Sequence, residues 1–226
     1  MGCRKAHDRI APKLAQEGLL VGRDKLFEIL RENKMLVKTR RAHTRTTYSN
    51  HSYAVAPNRI KNLLIYKPNQ VFVADITYIR LRSGFAYLFL VTDLHSRKIV
   101  GHYLSSNLRH EGAIIALEKA LEGVSQTDGI IHHTDRGCQY CCHEFLKALG
   151  KYKMTPSMTD ENHCYQNAVA ERVNGTLKME FFLDSTFANK KIASLAVDDA
   201  IRIYNTKRTH WSLGLQTPQQ VYQEAA

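Results

Sequence analysis

Alternating and continuous apolar runs frame the second half of the chain. In Val71–Arg80 (VFVADITYIR), Val71, Val73, Asp75, Thr77 and Ile79 fall on one face. Phe72, Ala74, Ile76 and Tyr78 fall on the other. Both faces are largely apolar, which predicts a central strand rather than an edge. A turn at Ser83-Gly84 leads into a second apolar strand, AYLFLVTD, and a turn at His95-Ser96 into a third, RKIVGHYL. The run GIIHHTD predicts a fourth strand ending at Asp135, where Gly137 lets the chain turn sharply beside the carboxylate. Helical spacing predicts helices at about 110–122 and about 140–149, with a short strand around 152–155.

The stretch 164–181, CYQNAVAERVNGTLKMEF, has two faces at helical pitch. Val169, Val173 and Leu177 make an apolar stripe, and Glu171, Asn174, Gly175 and Lys178 lie opposite. A helix carrying Ile192, Leu195, Ala196, Ile201 and Ile203 follows, then a tail in which Thr217 caps a last short helix begun by Pro218. Strands that are first antiparallel and then separated by helices predict an α/β fold, a mixed sheet flanked by helices.

Upstream, two short helices are predicted at residues 4–17 and about 22–33, split by Gly18. Ile10, Ala11, Leu14 and Ala15 form the stripe of the first; Leu26, Phe27, Ile29 and Leu30 point inward from the second, with Arg23, Lys25 and Arg31 outward. The pair suggests a helix-turn-helix, a compact way to set one helix into a major groove. The expected organisation is a helical basic segment over 1–48, a linker over 49–66, and a core with a helical tail over 67–226.

Charge sharpens this division. The chain of 226 residues carries a net charge of +11, and residues 1–67 hold 15 Lys/Arg against 5 Asp/Glu, a balance of +10. Between Glu32 and Asp75 there is no acidic residue, while Lys34, Lys38, Arg40, Arg41, Arg45, Arg59, Lys61 and Lys67 are all present. Such a stretch repels itself unless solvent or a polyanion relieves it, so it is either a disordered basic linker or a nucleic-acid contact. No apolar run has membrane-spanning length, and the odd count of 5 cysteines builds no disulfide framework. The expectation is a cytoplasmic protein without membrane association.

An aspartate inside an apolar strand is costly unless it is paired or metal-bound. Asp75, Asp135 and Glu171 sit on three separate elements and could converge at the exposed end of the sheet. Two metal ions sharing such carboxylates can activate a nucleophile and stabilise the leaving oxygen of a phosphodiester. Magnesium suits this role because it takes hard oxygen ligands and keeps several waters. By composition alone Asp93, Asp160 or Glu161 could substitute for any of the three. Cys138-x-x-Cys141, with His132, His133, His143, His163 and Cys164, offers a zinc alternative, although no second well-spaced Cys pair exists. No GxSxG elbow and no GxxxxGK[ST] loop is present.

Three motifs, VADITYI, IHHTDRGCQY and CYQNAVAERVNGTLKMEF, resemble the acidic motifs of the retroviral-integrase-like transposase core. The 35 residues between Asp135 and Glu171 match that core's spacing. The chain is most similar to transposases of the bacterial insertion-sequence family numbered three. GLLVGRDKLFEILRENKMLVK and the tail YNTKRTHWSLGLQTPQQV extend the resemblance over nearly the whole chain. It implies a ribonuclease-H-like fold, two Mg²⁺ or Mn²⁺ ions, and DNA cleavage at element ends followed by 3′-hydroxyl strand transfer. It places metal and catalytic roles on Asp75, Asp135 and Glu171 and a DNA contact on Lys178. Asn174 and Arg172, within the same motif, and Arg23, Lys25, Lys38, Arg40, Arg41 and Arg45, in the basic region, are the further DNA-contact candidates. The implied partners are double-stranded DNA, further copies of the chain, and an upstream helix-turn-helix product as fusion or partner. The alternatives are a nuclease of the same fold that cuts without strand transfer, and a catalytically silent DNA-binding protein.

Overall fold

The computed structural model describes residues 3–36, 53–160 and 167–224. The chain forms two compact units, Met1–His43 and Thr44–Ala226. The first contains α1 (Cys3–Gln16) and α2 (Arg23–Glu32), separated by Gly18 at φ +79°. A two-helix hairpin has one seam, and among the described residues only Ala6 and Leu26 are buried in it. Phe27, Ile29 and Ile10 are more than a third exposed, contrary to the inward stripes expected of them. Instead, the Arg31 guanidinium lies 4.8 Å from the Phe27 ring centroid, a cation–π contact on the surface. Lys38, Arg40, Arg41 and Arg45 lie outside the described residues.

The second unit is a five-stranded sheet in the order β3-β2-β1-β4-β5. Its strands are β1 (Val71–Leu81), β2 (Gly84–Asp93), β3 (Ile99–Ser105), β4 (Ile131–Thr134) and β5 (Thr155–Met158). β1–β2–β3 is an antiparallel meander, and β4 and β5 add in parallel on the other side of β1. β1 is therefore central, as its two apolar faces require.

Phe72 and Ala74 of β1 pack with Phe89 and Val91 against α3 (His110–Leu121) and α5 (His143–Lys151). There α3 lies so close to β3 that a Cβ on Gly101 would stand 2.1 Å from the Ala116 carbonyl oxygen. The opposite face of the sheet, with Ile79, Leu88 and Leu90, packs on α6 (Ala168–Glu180) and α7 (Lys190–Lys207). Asn205 of α7 is buried and works as an extra edge residue for β3. It accepts from Ile99 N–H at 3.0 Å and donates to Ile99 C=O at 2.9 Å. Arg208, just past α7, grips Glu180 of α6 with two bonds of 2.9 Å. Thr217 caps α8 (Pro218–Glu224) by accepting from the Gln220 N–H.

The single helix expected at about 140–149 is broken into α4 (Cys138–Cys141) and α5, because Cys142 is extended at ψ 154°. Residues ahead of β1 pack on the core: Ile60 and Ile65 lie against Val71 and Val73, and the Arg59 N–H donates to Ser157 Oγ at 2.9 Å.

Candidate active site

Strand register brings the first two carboxylates together. β1 and β4 run parallel with Val71, Phe72 and Val73 opposite Ile131, His132 and His133, a constant offset of 60. Asp75 lies two residues beyond the last pair on β1, and Asp135 is the first residue past the end of β4. The charge of Asp135 acts on Asp75 there. α6 packs on the sheet and carries Glu171 in its first turn.

The charges meet at Asp75. Burial pushes its carboxyl up to about 7, the negative charge of Asp135 pushes the same way, and that of Glu171 adds a smaller push. Opposing them are hydrogen bonds from the Ile76 N–H at 2.8 Å and from Asn174 Nδ2 at 2.7 Å. Glu171 itself is exposed. Asp135 accepts from the Gly137 N–H at 3.0 Å. Gly137 has ordinary φ −63°, so conformational freedom is not why glycine stands there. Room is the reason, since a Cβ would sit 3.0 Å from Asp135 Oδ1.

Two asparagines lock α6 onto β1 around Asp75. Asn167, the residue before α6, does not cap the helix; its Nδ2 donates to the Ala74 carbonyl at 3.0 Å, just past the end of the β1–β4 pairing. Asn174, two turns on, holds Asp75 itself. Both are buried, and among the described residues neither Oδ1 finds a donor. The place expected for Asn174, on a polar face turned to DNA, is therefore corrected: its side chain turns in toward the sheet. Tyr140 is a further neighbour that the sequence did not reveal. Burial, then the charges of Asp75 and Asp135, raise its hydroxyl well above the usual range.

Lys178 is half-buried rather than a free surface cation. Burial lowers its ammonium pKa, while the charges of Asp75 and Asp184 act in the other direction. Arg172 is exposed. Arg23 and Lys25 are exposed on α2 beside Asp24 and Glu28, each at 3.3 Å.

The competing ligands sort themselves by their partners. Asp93 is fully buried and accepts from Asn69 N–H at 2.8 Å and Ser96 N–H at 2.7 Å, besides the Ser96 hydroxyl, so it anchors the β2–β3 turn. Asp160 lies 3.7 Å from Lys61 Nζ. Of the soft-ligand set, His132 and His133 are buried in the sheet and pushed down to about 3 and about 4, chiefly by burial. Cys141 points at Met158 Sδ, 3.6 Å away. His163, Cys164 and Glu161 lie outside the described residues.

The donor set around Asp75 fits a hard divalent ion. It is all oxygen, it concentrates negative charge on the half-buried Asp75, and the orphaned Asn174 Oδ1 offers an acceptor to waters that such an ion retains. Among the described residues, the one trio of His, Cys or carboxylate ligands that closes within 4.8 Å lies elsewhere, at His110, Cys142 and Glu144. A wider spread suits carboxylates shared between two ions about 4 Å apart.

Comparison with known proteins agrees with this architecture. Residues 65–164 and 152–218 each match an Integrase core domain family. The chain is 35% identical over 212 residues to an uncharacterized 31 kDa protein of insertion element IS600 from Shigella sonnei, covering 93% of this chain and 78% of that one. It is 30% identical over 214 residues to the transposase InsF of insertion sequence IS3A from Escherichia coli K12, covering 94% and 74%. Among solved structures, the HTLV-2 integrase catalytic core in complex with magnesium superposes with a TM-score of 0.55 at 18% identity, over 69% of this chain and 97% of that one. The simian T-cell lymphotropic virus intasome, in complex with a PP2A regulatory subunit, gives 0.60 at 18% identity, over 98% and 74%. These likenesses show the ribonuclease-H-like fold. With that fold, the matched core domains and relatives spanning most of both chains, the protein belongs to the insertion-sequence transposases with an integrase-like catalytic core.

Proposed function

We propose that the chain cleaves DNA at the ends of an insertion sequence and joins the freed 3′ hydroxyl to a target, using Asp75, Asp135 and Glu171 to hold two Mg²⁺ or Mn²⁺ ions. The observation that carries this reading is the concentration of charge on Asp75, which the protein's own hydrogen bonds only partly offset. When bound, two divalent ions would neutralise these carboxylates, activate the attacking oxygen and stabilise the leaving one. Asp75 and Asp135 would hold them from rigid strands. Glu171 would complete the set from the more exposed helix, and Asn174 would fix the rotamer of Asp75.

Lys178 lies seven residues, about two turns or 10 Å, from Glu171 along α6. Its ammonium is suited to meet a DNA phosphate or base edge passing the site and to offset the acidic charge. The basic residues of 1–67, including Arg23, Lys25, Lys38, Arg40, Arg41 and Arg45, would supply salt-dependent affinity for double-stranded DNA. A helix-turn-helix role for α1–α2, action as an oligomer on DNA, and an upstream helix-turn-helix product as fusion or partner belong to the same proposal. No described helix is long and apolar enough to cross a membrane.

The test is a strand-transfer assay on end-sequence oligonucleotides with Mg²⁺. Joined product supports the proposal. Cut but unjoined product favours the nuclease, and binding alone favours the silent DNA-binding protein.

A further inference from the structure

A second ligand cluster lies where two helices begin. His110 opens α3, Cys142 is the extended residue that separates α4 from α5, and Glu144 lies in the first turn of α5. One ligand atom from each lies within 4.8 Å of the other two. We propose that His110, Cys142 and Glu144 form a site for a zinc-class divalent ion, with water as the fourth ligand, that staples the start of α3 to the start of α5.

Ligand chemistry separates this site from the acidic centre. An imidazole nitrogen, a thiolate and one carboxylate suit borderline-soft Zn²⁺, and three protein ligands with one open position are a recurring zinc arrangement. Magnesium avoids nitrogen and sulfur, so it would select the oxygen-only set around Asp75. Charge also closes: a thiolate and a carboxylate together balance the two positive charges of the ion. The positive ends of α3 and α5 oppose a bare cation but favour the deprotonated thiol and carboxylate that ligation needs. Glu111 adds negative charge nearby, 4.0 Å from His110 Nδ1.

The framework is already in place. Gln139 Nε2 donates to the Leu108 carbonyl at 3.0 Å, tying α4 to the approach to α3. The Cys142 thiol donates to the Gln139 carbonyl at 3.3 Å and gives up that proton on ligation. The break at Cys142 thereby gains a purpose, since a continuous helix would not present its N-terminal turn and thiol to His110. The staple would brace the segment Gly137–Cys142, which carries Tyr140 beside Asp75 and Asp135.

The experiment uses the full chain, stripped of metal and returned to excess Mg²⁺ so that the acidic centre is occupied by its hard ion. Stoichiometric Co²⁺ should then give a near-ultraviolet thiolate-to-cobalt band, and Zn²⁺ should displace it and raise the melting temperature. Cys142→Ser should abolish the band, although Cys3, Cys138, Cys141 and Cys164 remain. Glu144→Gln and His110→Gln, on residues with exposed or half-exposed side chains, should weaken binding by at least about tenfold and provide the test if Cys142→Ser fails to fold. Absence of the band in the wild-type chain overturns the proposal. So does an unchanged band in Cys142→Ser, or unchanged affinity in both of the other variants.

Discussion

Asp75 and Asp93 stand on neighbouring strands of one sheet, and burial raises the pKa of each. Their surroundings then diverge. Asp93 accepts from two backbone N–H groups and the Ser96 hydroxyl, and the charge that acts on it, from His95, lowers its pKa. Asp75 takes one backbone N–H and one amide, with Asp135 and Glu171 adding like charge. A buried carboxylate whose lone pairs are filled by the fold is a fastener. One whose neighbours are other carboxylates carries a repulsion that a bound cation would relieve.

The largest expected effect tests that distinction directly. Asp75→Asn should lower Mg²⁺-dependent cleavage by about three orders of magnitude or more, the equivalent of several kcal/mol of transition-state stabilisation, while DNA binding persists. Asp93→Asn should leave cleavage per folded molecule within a few-fold of wild type. Single-turnover assays on both variants decide the matter, and equal losses would break the comparison.

Glu180 extends the comparison to a carboxylate with a dedicated cation. Burial works to raise its pKa, but it is held down to about 2, and the two-bond grip of Arg208 is the largest of the lowering influences. A depressed folded-state value means stability that is present above the ordinary 4.5 and is lost as pH falls toward 2. Arg208→Met should cost about 3 kcal/mol in urea denaturation at neutral pH, because it leaves Glu180 without that partner. Its deficit relative to wild type should shrink on acidification through that window.

Asp93→Asn should be destabilised by about 1–3 kcal/mol, since one amide NH₂ must then face an N–H donor at Ser96 or Asn69. Asp75→Asn should behave in the opposite way. The folded protein holds the Asp75 proton up to about 7, whereas the unfolded chain releases it near 3.8. The metal-free wild type therefore loses stability as pH rises between those values and does not regain it above them. Asn carries no such charge penalty, and Asn174, whose Oδ1 finds no donor among the described residues, can turn its amide to accept from the new NH₂. At pH 8 in chelator the variant should therefore be about 1–2 kcal/mol more stable, less than the full shift because the residue is partly exposed. Parallel denaturation at pH 5 and pH 8 checks the sign, and a variant less stable at both would show that Asp75 is a fastener after all. The smallest effect is expected at Lys178. Lys178→Ala should reduce the salt slope of DNA binding by about 1 if the ammonium meets phosphate.

Much of the fold was legible because it is written in local periodicity. The two-faced apolar pattern of Val71–Arg80 determined a central strand, and the alternation of strands and helices determined a mixed sheet. The spacing of the acidic motifs marked Asp75, Asp135 and Glu171, and the structure brings their charges to one place. Other features escaped because they depend on partners distant in sequence. Leu26, Phe27, Ile29 and Leu30 repeat at helical pitch, yet a two-helix seam has no room for Phe27 and Ile29. Cys142 breaks a pattern that reads as one continuous helix.

What the sequence by itself determined was the order of the strands and of the helices between them, since that follows from neighbours along the chain. The choice of Asp75, Asp135 and Glu171 among the acidic residues rested on the resemblance of three motifs. Only the tertiary structure decided which carboxylate is left short of partners. Asp75 and Asp93 both lie in apolar runs and look alike there. They differ because Asp93 meets Ser96 and Asn69, while Asp75 meets Asp135 across a strand pair and Asn174 from a helix nearly a hundred residues away. Hydrogen bonding and Coulomb forces act through space, and chain folding alone sets those distances.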